Sequence, residues 1–391
     1  GYETAEGSFT VEETAEEQSV EIVLIPAGVM EEAAEPALLA ATSVASGECG
    51  DNLTWARYAD GTLAITGTGP MYDFGDSLSK AAPWYSHRDA IKTVQIGDGV
   101  TSIGAYAFDE CTSLTSVTIS ASVTSIGEYA FYECTALTSI AIPASVTSIG
   151  NSAFLNCTKL MTVTIPEGVT SIGYSVFSGC TSLASVTIPA SVTSIGNSAF
   201  SDCTKLMTVT IPEGVTSIGA HAFSGCTSLA SITIPASVTS IGNSAFSDCT
   251  SLTSITIPEG VTSIGDYTFY NCSSLTSVTI PEGVTSIGNS AFKSCTSLTS
   301  VTIPEGVTSI GRWAFVGCTS LKDVYYTSCS ETGWKNITIG SYNDPLQNAT
   351  VHYLEHQWDE GKVTTPATCT ENGVKTYTCS VCKEIKTEAV E

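Results

Sequence analysis

A 23-residue phrase repeats along this chain: residues 273–295 read SSLTSVTIPEGVTSIGNSAFKSC and residues 296–318 read TSLTSVTIPEGVTSIGRWAFVGC. The same interval separates ten cysteines: Cys111, Cys134, Cys157, Cys180, Cys203, Cys226, Cys249, Cys272, Cys295 and Cys318. A fixed period of this length specifies a stack of equivalent units, so the 391 residues are not divided by the usual length-per-domain arithmetic. Within one unit, Val278 and Ile280 alternate with Ser277 and Thr279, the pattern of a strand with one polar face. Pro281 removes a ladder donor and ends that strand, and Glu282-Gly283 supplies a turn. VTSI then reads as a second short strand, Gly288 as a bend, and NSAFKSC as one helical or 3-10 turn that returns the chain.

One unit cannot fold alone. Burying about six side chains gains roughly 1.5–3 kcal/mol each, whereas ordering the unit costs roughly 1–2 kcal/mol for every residue in it. Stacking aligns like residues, so Leu114, Leu137 and Leu160 lead a ladder ending at Leu321, and Phe108, Phe131 and Phe154 lead another ending at Phe315. At a strand spacing of about 4.8 Å, ten rungs make a solenoid roughly 50 Å long.

The charge excludes some partners. With 14 basic against 39 acidic residues the net charge is −25, a field that repels phosphate backbones and anionic membranes, so nucleic acid is not an expected partner. Residues 1–50 contain eleven glutamates and no Asp, Lys or Arg, which reads as a flexible acidic leader, with the apolar stretch 20–30 as one short strand. No apolar run reaches the roughly 18–20 residues of a transmembrane helix. The start at Gly1 fits a removed signal peptide or a trimmed chain.

The recurring Leu, the two strand positions, Ile-Pro, Val-x-x-Ile-Gly and Ala-Phe-x-x-Cys together resemble the BspA-like, or Treponema pallidum type, class of leucine-rich repeats. The resemblance covers about 91–326. GECGDNLTWARYADGTLAITGTGPM is similar to the N-terminal capping region of such proteins, with Asp60-Gly61 as a hairpin turn, and VYYTSCSETGWKNITIGSYNDPLQNATVHYL is similar to their C-terminal cap. The expected organisation is an acidic leader over 1–46, an N-terminal cap over 47–90, a leucine-rich repeat solenoid over 91–326, a C-terminal cap over 327–354 and a small Cys-containing module over 355–391. The resemblance implies a right-handed solenoid on a bacterial, extracellular or cell-surface protein, whose relatives are associated with adhesion to host matrix proteins or other cells.

The cysteine ladder admits two states. Adjacent Cα atoms about 5 Å apart fall within disulfide range, but ladder side chains point in parallel, which favours reduced cysteines packed as small hydrophobes. Three of the other five, Cys369, Cys379 and Cys382, with His356 upstream, form a Cys-x9-Cys-x2-Cys arrangement in a segment resembling a module appended to such proteins. A Cys-x-x-Cys knuckle aims two thiolates at one tetrahedral centre, and a third Cys and a His complete a closed zinc site. A disulfide with one leftover thiol, or free thiols, fit the same spacing. Cys49 and Cys329, in the two caps, have no assignment.

No nucleophile elbow, zincin motif or phosphate loop is present, and the histidines His87, His221, His352 and His356 keep no catalytic company in sequence. An enzyme would need His87, Asp109 and Glu110 gathered in a pocket. Residues 158–203 and 204–249 differ at four places only, Tyr174/Ala220, Ser175/His221, Val176/Ala222 and Val186/Ile232, which suits an array. Two positions after each Ile-Gly glycine the residue alternates between serine and Tyr106, Tyr129, His221, Tyr267 and Trp313. These form a candidate contact ridge for a protein or glycan, or they cover neighbouring rungs. The chain therefore reads as a non-catalytic surface binding protein. The alternatives are a spacer displaying other modules and, on the Ser/Thr strand face of Ser116, Thr118, Ser277 and Thr279, a hydroxyl array that binds ligand.

Overall fold

The computed structural model describes residues 42–368 and 371–391, and Ser43–Glu391 forms one compact unit. Most of the expected acidic leader, the strand expected over 20–30 and Cys369 lie outside the described residues. The strands Ala45–Gly50, Leu53–Arg57 and Thr62–Gly67 run antiparallel. Asp60 Oδ1 accepts the Thr62 amide at 2.8 Å, and Gly61 sits at φ 95°, which closes the turn between the second and third. The third strand then pairs in parallel with Thr93–Ile96, which hands the sheet to the repeats.

From there two parallel ladders run along a β-solenoid. Val163 faces Val186 and Ile172 faces Ile195, one unit apart in both ladders. The apolar strand positions face inward, with Val278 and Ile280 buried and Ser277 and Thr279 exposed. Pro281 and Val284 close the turn between the two strands, the Val284 amide donating to the Pro281 carbonyl at 3.1 Å. Gly288 is required by its neighbour: a Cβ there would lie 2.6 Å from the Asp266 amide nitrogen.

The ten phenylalanines from Phe108 to Phe315 form a buried spine with ring centroids 5.2–5.7 Å apart. Trp84 closes its N-terminal end, stacked on Phe108 at 5.8 Å, with its indole N–H donated to the Ala107 carbonyl at 2.7 Å. At the other end the last strands, Thr338–Ile339 and Thr350–Tyr353, extend the two ladders, and the helices Glu331–Lys335 and Asp344–Gln347 lie within that final turn. A three-stranded antiparallel module follows, made of Lys362–Thr365, Gly373–Thr378 and Ile385–Val390.

The expected helical turn in each rung is replaced by a run of hydrogen-bonded turns. Two residues per rung are left-handed, for example Tyr267 at φ 56° and Asn271 at φ 55°, and a left-handed residue breaks a right-handed helix. Alternate amides then point to the next rung: Tyr267, Phe269 and Asn271 donate to Asn289, Ala291 and Lys293 carbonyls at 2.7–2.9 Å. This third line of rung-to-rung bonds gives the corner its backbone partners without a helix.

Candidate binding surfaces and candidate metal centre

The cysteine ladder lies in the core as free thiols. Cys134 Sγ donates to the Phe108 carbonyl at 3.2 Å and Cys157 Sγ to Phe131 at 3.1 Å, a contact repeated as far as Cys318 and Phe292 at 3.0 Å. Burial pushes the Cys157 thiol up to about 12, so at neutral pH it is a packing group with a weak hydrogen bond and no nucleophilic character.

The threonine columns have a similar structural use. Thr204 Oγ1 donates to the Thr181 carbonyl at 3.2 Å and Thr216 Oγ1 to Thr193 at 3.3 Å, so these hydroxyls bind rung to rung. The outward strand residues, such as Ser277 and Thr279, face solvent.

The column two residues after each Ile-Gly glycine has one backbone conformation throughout, φ 51–57° from Tyr106 to Trp313. Serine is buried there at Ser152, Ser175, Ser244 and Ser290, whereas His221 and Tyr267 are exposed and Tyr106, Tyr129 and Trp313 are half-buried. Tyr106 stacks on Tyr129 at 4.8 Å, and Trp313 is held between the Arg312 guanidinium at 4.5 Å and the Tyr342 ring at 5.6 Å. Tyr267 meets Tyr270 edge-on at 5.9 Å, and serine rungs separate it from both His221 and Trp313. The five residues thus share a column but not one continuous ridge: Tyr106 and Tyr129 pair with each other, Trp313 pairs with Tyr342, and His221 and Tyr267 stand apart.

On the strand face the serine/threonine pattern gives way at its C-terminal end to Tyr325 and His352. Their rings stack at 4.9 Å, and His352 Nε2 lies 2.7 Å from Asp323 Oδ1. Tyr325 follows its ladder partner Thr302 at the 23-residue interval, but His352 falls in the next, non-repeating turn, so periodicity could not single out the pair.

His87, Asp109 and Glu110 do not assemble. Glu110 pairs with Arg88 at 3.2 Å and accepts the Tyr85 hydroxyl at 2.9 Å, while His87 is exposed. Asp109 is buried with Oδ1 unpartnered, and burial, followed by the charges of Glu110 and Glu133, raises its carboxyl to about 6.

At the C-terminal end four side chains converge: Cys329 from the cap, His356 from the following linker, and Cys379 and Cys382 from the turn after strand Gly373–Thr378. Their ligand atoms all lie within 4.8 Å of one another. Cys329 Sγ is 3.4 Å from Cys379 Sγ, and Cys382 Sγ is 3.5 Å from His356 Nδ1. Lys383, at φ 62°, turns the chain after Cys382, and its amide donates to the Cys379 carbonyl at 3.1 Å. His356 Nε2 faces Glu384 at 3.7 Å, and the other Glu384 oxygen accepts Ser330 Oγ at 2.7 Å. His356 also stacks on Trp358 at 4.7 Å. Burial alone would raise the Cys379 thiol, but the amides of Cys382 and Val381 and the His356 ring outweigh it and bring the group down to about 6, whereas burial holds Cys329 up at about 12. An open cleft of about 390 Å³ borders the cluster. The sequence spacing finds His356, Cys379 and Cys382 but misses Cys329, whose only signal is that it breaks the 23-residue interval.

No described helix is long and apolar enough to cross a membrane. A family model described as a BspA type leucine rich repeat region matches residues 83–207 and 194–322. Among solved structures, a leucine rich cell surface protein of Faecalibacterium prausnitzii A2-165 is 32% identical, with 76% of this chain and 98% of that one covered and a TM-score of 0.40. A leucine-rich repeat protein of Eubacterium ventriosum is 25% identical, with 80% and 96% covered and a TM-score of 0.50. One of Bacteroides ovatus is 24% identical, with 79% and 100% covered and a TM-score of 0.44. No curated protein matches the chain.

Proposed function

Because the chain belongs to the BspA type leucine rich repeat family, we propose that it is a non-catalytic binding protein of the cell surface, holding a protein partner along the left-handed corner of its solenoid. The observation that carries this is the divergence of two otherwise identical blocks. Of their four differences, Val176/Ala222 and Val186/Ile232 are buried replacements of one apolar residue by another. The other two exchange an exposed Tyr174 and a buried Ser175 for Ala220 and an exposed His221. Both fall on adjacent residues of the corner, where the backbone is held constant and only the presented side chain changes.

A left-handed residue without glycine's freedom is strained, and a strained position that repeatedly carries Tyr, His or Trp points to a use for the ring. Aromatic side chains give large contact area for little loss of conformational freedom. The cell-surface setting rests on the 32% identical relative, which is itself described as a cell surface protein. The test is a binding screen of the chain against matrix proteins and polysaccharides, repeated with His221→Ala/Tyr267→Ala. Saturable binding that the double variant loses at unchanged thermal stability supports the reading. Absence of saturable binding to any of them leaves a spacer.

A further inference from the structure

We propose that Cys329, His356, Cys379 and Cys382 bind one zinc ion, and that Cys329 makes this ion a staple between the end of the solenoid and the C-terminal three-stranded module. The donor set is three thiols and one imidazole, a closed structural zinc set. With Zn–S near 2.3 Å and Zn–N near 2.0–2.1 Å, a tetrahedral site has S–S edges of about 3.8 Å and S–N edges of about 3.6 Å. The Cys329–Cys379 separation of 3.4 Å and the Cys382–His356 separation of 3.5 Å are close to those edges, and all four ligand atoms fit within 4.8 Å. The cluster is compact enough to close on an ion by side-chain adjustment alone.

Support around the ligands points the same way. His356 turns Nδ1 to the cluster and Nε2 to the Glu384 carboxylate, the carboxylate–histidine arrangement that fixes a metal-binding ring. Glu384 is in turn held by Ser330, whose hydroxyl also caps the helix Glu331–Lys335 by accepting the Gly333 amide at 3.1 Å. Ser330 adjoins Cys329, so one short cap segment supplies both a ligand and the anchor of the carboxylate. Trp358, stacked on His356, bridges to Cys379 through the isolated pairing of those two residues, which ties the linker to the knuckle.

The consequence is mechanical. The module is joined to the solenoid by a single chain segment after Tyr353, and Cys329 and Glu384 are the groups that reach across from either side. Zinc binds thiolates, so its uptake releases to solvent whatever protons the thiols still carry, and no oxidant is involved.

The experiment is zinc titration of the full chain under reducing conditions, with metal content by elemental analysis and cobalt(II) substitution as the spectroscopic readout. The wild type is expected to bind one metal, with three thiolate-to-cobalt contributions. Cys329→Ser should remove one of the three and weaken zinc binding, whereas Cys369→Ser should leave both unchanged. Glu384→Gln should weaken binding about 10–100-fold. Limited proteolysis should release the module faster after chelation. No metal bound under reducing conditions overturns the site. Retention of all three thiolate contributions in Cys329→Ser, with loss of one in Cys369→Ser, overturns the staple, and circular dichroism of each variant shows whether its solenoid is intact.

Discussion

The side-chain carbonyl of Asn343 accepts the Phe315 amide at 2.9 Å, the bond that Phe292 and Phe269 give to the Ala314 and Ala291 carbonyls of the next rung. The Asn343 amide also donates to Gly311 and Gly340 carbonyls at 2.9 and 2.7 Å. One fully buried side chain thereby takes the place of a missing rung's backbone. Each buried group left unpaired costs about 1–3 kcal/mol. Asn343→Ala is expected to lower stability by at least about 2 kcal/mol, read from the urea midpoint, with the final turns exchanging amide hydrogens first. Asn289→Ala, which removes an exposed version of the same cap to the Arg312 amide, should cost under about 1 kcal/mol.

The thiol ladder predicts instability in alkali. Burial holds Cys157 near 12 in the folded chain, against an unfolded value of about 8.5. The native state therefore keeps protons that the unfolded chain loses, so stability is full below the unfolded value and falls as pH rises from about 9 towards 12. Urea midpoints of the reduced chain at pH 8 and pH 10 should differ in that direction. Cys157→Ala should reduce the slope by about 1.4 kcal/mol per pH unit. An unchanged slope would mean that the ladder does not titrate on unfolding.

Asp109 gives a slope in a different window. Its carboxyl is raised to about 6 from the ordinary value near 3.9, so the folded chain binds the proton more tightly and stability falls as pH rises from about 4 to 6. Asp109→Asn should therefore stabilise the chain at pH 7, by about 1–2 kcal/mol, and flatten that part of the profile. Thermal unfolding at pH 4 and pH 7 checks it.

The solenoid, its period and its inward columns were legible because each apolar position recurs ten times, which fixes the register with no long-range inference. The corner's left-handed turns are less legible. NSAFKSC has helical composition, and only the Gly, Asn and Asp residues before the cysteines, such as Gly179, Asn271 and Asp248, carried the left-handed signal. Cys329 was beyond periodic reasoning altogether. It joins Cys379 and Cys382 through the folding of a linker, and no spacing rule connects a cap cysteine to a knuckle 50 residues away.

The two near-identical blocks allow the binding corner to be tested against its own copy. Exchanging Tyr174-Ser175 for Ala-His, and Ala220-His221 for Tyr-Ser, moves the exposed aromatic and the exposed imidazole by two rungs while preserving total composition. At about 4.8 Å per rung this is a displacement of roughly 10 Å, too far for a partner bound at several rungs to follow by side-chain adjustment. The Asn151 side chain accepts the Tyr174 amide at 2.9 Å, a backbone contact that any residue at 174 can keep, and the His221 and Ser175 sites share the same φ to within a few degrees. Stability of the exchanged chain is thus expected to change by less than about 1 kcal/mol. Dissociation from a partner found in the screen should accelerate by about tenfold or more if these side chains lie centrally in the contact. Equal dissociation rates at equal stability would exclude this corner as the binding surface and direct attention to the Tyr325–His352 pair on the strand face.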